Sequence, residues 1–183
     1  PIEMDLFVKE HPVMKLLGWR NLDYYKKILE MPNVQLIHPS VSTEELIKKS
    51  SMVIAIAGTS AFEAAFYKKP SIVFTNVIFS VLSSVFTVKI MEDLPNIIKK
   101  CLNSKVDLIE LNQYIDKIKK SSFSIDLFNL TTLASHIFGI GGFLDNNSIS
   151  EPIMKEYLEK YKKEFDKLAE EHIKKINLIK NNN

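Results

Sequence analysis

The stretch MVIAIAGTSAFEAAFYKKPSIVF, residues 52–74, decides the fold of this chain. It begins with an apolar run, Met52–Ala57, which predicts a strand, and the residues after it predict a helix over Ser60–Lys68. A second apolar run, Ser71–Phe74, predicts the next strand. Because the first run is apolar throughout rather than alternating, it is typical of a parallel strand covered by helices on both faces. The stretch is therefore expected to form a β-α-β unit.

The same alternation of strand and helix patterns runs through the first hundred residues. The predicted strands are Asp5–Lys9, Val34–His38, Met52–Ala57, Ser71–Phe74 and Phe86–Ile90, and the predicted helices are Asn21–Glu30, Ser42–Lys49, Ser60–Lys68 and Leu94–Leu102. Since β-α-β crossovers are right-handed, this order predicts an α/β fold, namely a Rossmann-like three-layer unit with a mostly parallel sheet.

The chain changes character after Asn103, where strand patterns give way to helical ones. Helices are predicted over Val106–Lys119, Leu127–Phe138 and Ser150–Ile179, and the segment GIGGFLDNNS between the last two predicts a turn. The last helix carries apolar residues at spacings of three or four. Its apolar face is expected to pack on its own domain, with a partner protein or a membrane surface as the alternatives.

These patterns predict two domains. The first is a Rossmann-like domain over residues 1–103, and the second is a helical extension over residues 104–183. The extension is expected to pack on the first domain or on an N-terminal domain upstream of this chain.

Composition limits the classes of function. The 183 residues include 24 Lys and Arg against 22 Asp and Glu, and the net charge of +2 does not favour nucleic acid as a partner. The one cysteine, Cys101, excludes an internal disulfide and favours a reducing compartment, so the predicted location is the cytoplasm. No apolar run reaches the roughly 18 residues of a membrane-spanning helix.

In an open parallel sheet, ligands bind at the carboxyl ends of the strands, so the residues that follow each strand are the first candidates for a site. They are His11 after the first strand, His38 and Ser40 after the second, Gly58, Thr59 and Ser60 after the third, and Thr75 and Asn76 after the fourth. We expect all of them along one edge of the sheet.

The turn Gly58-Thr59-Ser60 is suited to a phosphate. A glycine lets the backbone approach a ligand closely, and the start of a helix offers unpaired N–H groups and the positive end of the helix dipole. The alternative is that Thr59 or Ser60 only caps the helix. Glu63, one turn further on, either completes a capping box with Ser60 or binds a pair of sugar hydroxyls.

Two cationic or titratable residues near the first strand are further candidates. The imidazole of His11 can donate a hydrogen bond to a phosphate or a base, although isolated histidines are more often structural. Arg20 either reaches an anionic ligand or is a solvated surface charge. His38 has the same His-Pro pattern as His11 but no second reason to select it.

Several common catalytic motifs are missing from the sequence. There is no phosphate-binding P-loop, no HExxH and no CxxC, and GIGGF follows a predicted helix rather than a strand. His136 and His172 have no carboxylate or cysteine at ligand spacing, so no metal site is predicted.

Three segments together resemble a known family. VKEHP, GWRNLDYYKKIL and NVQLIHPSVSTEELIKKSSMVIAIAGTSAFEAAFYKKPSIVF occur in the order and spacing of the bacterial capsular polysaccharide synthesis family, which includes Kdo transferases and, more distantly, sialyltransferases with an HP motif. The resemblance covers Phe7 to Leu102. It implies the C-terminal, donor-binding half of a GT-B glycosyltransferase.

The resemblance also implies roles for particular residues. It implies that His11 and the turn Gly58-Thr59-Ser60 hold the phosphate of a nucleotide-activated sugar, with a CMP-linked donor as the first candidate, and that Glu63 contacts the ribose or the donor sugar. Arg20 and Ser40 complete the predicted substrate-binding set. No catalytic residue is assigned, because the resemblance places the general base in an N-terminal acceptor domain.

The partners implied by this resemblance are a nucleotide sugar and a polysaccharide or glycolipid acceptor, with no cofactor. A further N-terminal domain or a membrane-associated complex is also implied, which adds the inner face of the membrane to the predicted cytoplasmic location. Two other functions remain open at this point. One is a noncatalytic GT-B-like interaction module, and the other is an enzyme similar to UDP-sugar epimerases.

Overall fold

The structure is a computed structural model, and it describes residues 4–11, 14, 18–126 and 149–181. The chain divides into two compact units, Pro1–Ile118 and Lys119–Asn183. The domain boundary predicted from the sequence lies earlier, after residue 103.

The first unit alternates strands and helices, as the sequence predicts. Its strands are β1 (Leu6–Lys9), β2 (Val34–Ile37), β3 (Val53–Ala55), β4 (Ser71–Val73) and β5 (Val85–Thr87); its helices are α1 (Leu22–Leu29), α2 (Thr43–Lys49), α3 (Ser60–Phe66), α4 (Leu94–Leu102) and α5 (Leu108–Ser121), the last of which ends just beyond the unit. Two short 3-10 helices cover Ile78–Val81 and Met91–Asp93. Side-chain caps fix two helix starts, since Asn21 accepts a hydrogen bond from the Asp23 amide and Ser42 accepts one from the Glu45 amide.

The strands are parallel, which confirms the predicted α/β class. β1 pairs with β2, with Leu6 opposite Val34. β4 lies between β3 and β5 in a separate three-stranded sheet, with Ser71 opposite both Val53 and Val85. The sheet therefore forms as two short pieces rather than one. The strands are also shorter than the apolar runs, because the chain bends after Ala55 and Ile56 is left 77% exposed.

The core of the first unit is built around β4, whose three residues are all buried. Successive side chains of a strand point to opposite faces. Val73 packs in a cluster with Ala61 and Ala65 of α3, whereas Ile72 packs with Cys101 of α4. The sheet is therefore covered by a helix on each face, which is the predicted three-layer arrangement.

Helix α3 is held close to the sheet by small residues and by one buried hydrogen bond. Ala61, Ala64 and Ala65 are essentially without solvent exposure, so the helix backbone approaches β4 closely. The hydroxyl of Ser71 donates a hydrogen bond of 2.8 Å to the carbonyl of Ala61. This packing fixes the position of the turn that precedes α3.

Helix α5 also packs on this core. Leu111 is buried in the α3 cluster with Phe79 and Leu82, and Tyr114 lies against the same cluster. The carboxylate of Glu110 accepts hydrogen bonds from the amide and the hydroxyl of Ser83. The first helix of the predicted extension thus contacts the Rossmann-like part of the chain.

From residue 149 onward, the described part of the second unit forms the helices α6 (Glu151–Lys160) and α7 (Lys162–Asn181). One continuous helix was predicted over Ser150–Ile179, but the helix is interrupted at Tyr161, whose backbone is not helical. The carbonyl of Tyr161 accepts the hydrogen bonds that begin α7. Tyr161 packs with Tyr157 and Phe165. The predicted helix over Leu127–Phe138 and the turn after it lie outside the described residues.

Among the described residues, none of the helices combines the length and the apolar character that crossing a bilayer requires.

Candidate functional site

A cavity of about 340 Å³ lies at the carboxyl ends of β1 and β2. Its walls are mainly apolar and aromatic, with one carboxylate and one imidazole; the lining residues are Glu10, Trp19, Tyr25, Leu36, Ile37, His38 and Pro39. All of them belong to the first unit. The cavity is therefore at the sheet edge where parallel α/β proteins bind ligands.

Glu10 organises one wall of this cavity. Its Oε2 accepts hydrogen bonds from Arg20 Nε at 2.9 Å and from the hydroxyl of Tyr25 at 3.1 Å, and its Oε1 accepts one from the His11 amide at 3.0 Å. The side chain of Glu10 is only 10% exposed. These bonds join the end of β1 to the loop before α1 and to α1 itself.

The charge of this carboxylate is maintained by its donors. Burial acts to raise the pKa of Glu10, but the hydrogen bonds from Arg20, from the His11 amide and from Tyr25 outweigh it and lower the pKa below 4.5. The pKa of Arg20 is raised in turn, mainly by its hydrogen bond to Glu10. The two residues therefore form an ion pair at neutral pH.

Arg20, predicted to bind an anion, has a protein partner in this structure. Besides its bond to Glu10, its guanidinium lies 5.1 Å from the ring centre of Tyr24. Its charge is thus largely balanced within the protein. Its proposed contact with an anionic ligand stays a prediction.

The imidazole of His38 is oriented by Ser40. Nδ1 of His38 lies 2.6 Å from the hydroxyl oxygen of Ser40 and accepts a hydrogen bond from the Ser40 amide at 3.2 Å. Because an amide can only donate, Nδ1 is the acceptor, and the neutral ring carries its proton on Nε2. A ring with an Nε2–H donor therefore forms part of the cavity wall.

His11 is exposed and follows Glu10 directly. Its amide is fixed by Glu10, and its carbonyl accepts a hydrogen bond from the Met14 amide at 3.0 Å. These two hydrogen bonds fix the backbone of His11, the residue predicted to bind the phosphate, next to Glu10 of the cavity wall.

The turn Gly58-Thr59-Ser60 lies elsewhere, at the end of β3 in the three-stranded sheet, and does not line this cavity. Among the described residues, the amides of these three residues make no backbone hydrogen bond, whereas the amides of Ala61 and Phe62 bond to the carbonyls of Gly58 and Thr59. The turn therefore presents unpaired N–H groups at a helix start.

Glu63 does not form the capping box with Ser60. Thr59 occupies the cap position without a side-chain cap, because its hydroxyl donates instead to Glu63 Oε1 at 2.9 Å. Glu63 is exposed. Its second carboxylate oxygen is left for another donor. Thr75 and Asn76, which follow β4, are also exposed.

Sequence reasoning did not select Glu10, Trp19 or Tyr25, although all three line the cavity. The available signal was that Glu10 and Arg20, ten residues apart, have opposite charges next to predicted element ends. The two charges come together only in the folded chain. Within the described residues, no group of three potential ligands is arranged to hold a metal ion.

These features define the first unit as a parallel α/β domain with its cavity at the carboxyl edge of the strands. Its first 83 residues match the sequence model of the family described as capsule polysaccharide biosynthesis protein. The match covers somewhat less than half of the 183 residues, and it confirms the predicted resemblance to a capsule polysaccharide synthesis family. It supports a role in capsule synthesis. No curated protein and no solved structure matches the chain.

Proposed function

We propose that this chain is the donor-binding part of a glycosyltransferase that uses a nucleotide-activated sugar to build a capsule or other surface polysaccharide. The observation that carries the proposal is the position of the family match. Residues 1–83 include β1 to β4, the cavity and the turn after β3. All the predicted substrate-binding residues therefore belong to the segment that resembles capsule synthesis proteins.

The phosphate of the donor binds at the turn Gly58-Thr59-Ser60, where the unpaired amides of the turn act as donors. Glu63, fixed on one oxygen by Thr59, accepts from a hydroxyl of the ribose or of the sugar. The imidazole of His11 supplies a further donor. As the glycosidic bond to the leaving nucleotide breaks, these donors stabilise the negative charge that develops on its phosphate.

A CMP-linked sugar is the proposed donor, with a UDP-linked sugar as the alternative, and a polysaccharide or glycolipid is the proposed acceptor. The general base and the acceptor site are assigned to a further domain. The proposed location is the cytoplasm, at the inner face of the membrane where a lipid-linked acceptor would be available.

Nucleotide binding tests this proposal directly. The melting temperature of the chain is measured with CMP and UDP at about one hundred times the dissociation constant. Binding to the folded state alone then stabilises it by about 2.7 kcal/mol, which corresponds to an upward shift of about 5 to 10 °C for a chain of this size. We expect the shift in the wild type and not in His11→Ala or in the double variant Ser60→Ala/Glu63→Ala.

A matched control is available at α5. Asp107 caps that helix through a hydrogen bond from the Ile109 amide, and Glu110 follows three residues later, which is the spacing of Ser60 and Glu63. The double variant Asp107→Ala/Glu110→Ala is expected to melt lower but to keep the full nucleotide shift. If no nucleotide raises the melting temperature of the wild type, the proposal is wrong, and a noncatalytic interaction module becomes the favoured function of this chain.

A further inference from the structure

We propose that the cavity at the carboxyl ends of β1 and β2 binds the nucleobase of the donor, with the flat ring against Trp19 and Tyr25. This inference rests on the proposed function, because it assigns the base of the nucleotide sugar to a place distinct from the turn that holds its phosphate. None of the three cavity residues Glu10, Trp19 and Tyr25 was selected from the sequence.

The aromatic side chains provide the surface for stacking. Trp19 is 53% exposed although it lines the cavity, so one part of its indole is available to a ligand. Tyr25 is held in place because its hydroxyl donates to Glu10. A planar ring gains stacking energy on such side chains whatever its exact identity.

The charges around the cavity favour a neutral group over a phosphate. Among the described residues that line it, Glu10 is the charged one, and its charge is negative. The Arg20 guanidinium balances that charge from outside the lining. This part of the wall is therefore close to neutral and offers a phosphate no unpaired cation, whereas a neutral ring gives up no charge solvation on entering.

The polar groups that the described lining residues offer are also too few for a sugar. A pyranose needs a partner for each of several hydroxyls, since burying an unpaired hydroxyl is costly. The oxygens of Glu10 already accept three hydrogen bonds, and the Tyr25 hydroxyl already donates one. The Nε2–H of His38 and the remaining lone pair of Glu10 match the one or two polar edge atoms of a base better than a polyol.

The path of the chain connects this cavity to the proposed phosphate residue. Glu10 lines the cavity, and the amide of the next residue, His11, donates to the same carboxylate. In the proposed arrangement the ribose and phosphate extend towards His11, the residue that follows Glu10. A volume of about 340 Å³ is at the small end of the range for ligand sites, which suits a base rather than a whole sugar nucleotide.

The chain supplies its own reporter for the test, because Trp19 is its only tryptophan. Trp19 fluorescence is titrated with cytidine, CMP, UMP and AMP, and with ribose 5-phosphate and methyl glycosides as probes that lack a base, all with correction for absorption by the bases. We expect the probes with a base to quench the fluorescence and the probes without one to leave it unchanged.

Variants separate stacking from folding. Trp19→Ala and Tyr25→Ala are expected to weaken nucleotide binding about tenfold or more in a melting or calorimetric assay, and Trp19→Phe is expected to keep most of the affinity. Leu22→Ala is the control, because Leu22 is an exposed apolar residue of α1 and does not line the cavity. Circular dichroism shows whether each variant is folded.

The outcomes distinguish this inference from the proposed function. If nucleotides raise the melting temperature but neither change Trp19 fluorescence nor depend on Trp19 and Tyr25, the base binds elsewhere and only this inference is overturned. Equal quenching by ribose 5-phosphate or a methyl glycoside assigns the cavity to a sugar and also overturns it. Quenching by cytidine that survives Ser60→Ala/Glu63→Ala supports the cavity even where the phosphate assignment fails.

Discussion

The carboxylate of Glu10 and the guanidinium of Arg20 form an ion pair with a 2.9 Å contact between Oε2 and Nε. The two residues lie ten positions apart, one at the end of β1 and the other in the loop before α1. The Glu10 side chain is 10% exposed and that of Arg20 is 47% exposed. The pair therefore ties Arg20, the neighbour of Trp19, to Glu10, and both Trp19 and Glu10 line the cavity.

The variant Glu10→Gln is expected to lose stability in a pH-dependent way. The pKa of Glu10 is lowered in the folded chain, so the ionised pair stabilises the fold above the ordinary pKa near 4.5 and this contribution is lost as the pH falls through the folded value. At pH 7 the free energy of unfolding of the variant should be about 1 kcal/mol lower than that of the wild type. The loss is this small because water screens the half-exposed Arg20. Urea unfolding at pH 7 and at successive values below pH 4.5 measures the difference.

The difference between wild type and variant should shrink as the pH falls. Glu44→Gln is the comparison, because Glu44 pairs with Lys48 within one helix turn and both side chains are more than half exposed. Its loss of stability at pH 7 should therefore be smaller than that of Glu10→Gln. A constant difference across the whole pH range would mean that Glu10 acts by packing and not by its charge.

The two glycines near the predicted sites should respond differently to alanine. At Gly58 the φ angle is not in the left-handed region, and an added Cβ would lie 3.5 Å from Ser60 Oγ and 3.6 Å from Ala55 Cβ, which are ordinary contacts. Gly58→Ala is therefore expected to keep or slightly raise stability, by up to about 1 kcal/mol. If a phosphate approaches the turn, the same change should weaken nucleotide binding.

Gly18 has a φ of +82°, so Gly18→Ala should cost about 1 kcal/mol even though an added Cβ has no neighbour within 4 Å. Thermal unfolding and nucleotide titration of both variants make the comparison. A loss of stability in Gly58→Ala equal to that in Gly18→Ala would show that the turn after β3 is strained.

Two leucines of α5 test whether this helix belongs to the core of the first unit. Leu111 is 4% exposed and packs with Phe79 and Leu82, whereas Leu108 is 44% exposed on the same helix. Leu111→Ala should lower the free energy of unfolding by about 2 to 4 kcal/mol, and Leu108→Ala by less than about 0.5 kcal/mol. Similar small losses in both would favour the predicted boundary after residue 103.

The hydroxyl of Tyr114 is buried and has no hydrogen-bond partner among the described residues. Burial also raises the pKa of this phenol. Because an unpaired buried hydroxyl costs desolvation energy, Tyr114→Phe should leave the free energy of unfolding unchanged or raise it by up to about 1 kcal/mol. Tyr25→Phe, which removes the bond to Glu10, should instead lower it. A clear loss in Tyr114→Phe would reveal a partner for the hydroxyl, such as a bound water.

The elements of the first unit could be predicted because each depends on a local pattern. The apolar run Ser71–Phe74 gave the central strand β4, and Ser42 marked the start of α2 as its cap. The division of the sheet into two pieces could not be predicted, because strand pairing depends on the path of the chain between strands. For the same reason the Glu10–Arg20 pair could not be predicted, because its partners are ten residues apart and meet only in the folded chain.

The break at Tyr161 shows a different limit. The apolar spacing is continuous across it, and one residue with a nonhelical backbone preserves that spacing while it separates α6 from α7.

At the candidate site, strand order alone was enough to predict that His38 and Ser40 follow the carboxyl end of β2. The aromatic residues of the cavity could not be predicted in this way, because Trp19 lies outside the helices and strands and Tyr25 lies on α1.

The burial of Cys101 has a practical consequence for labelling. It is the only cysteine of the chain, its side chain has no solvent exposure, and burial raises the pKa of its thiol to about 12. At pH 8 the thiolate that reacts with maleimides is therefore almost absent in the folded chain. The native sequence can then accept a single new surface cysteine, for a fluorophore or a spin label on either unit, without first replacing its own.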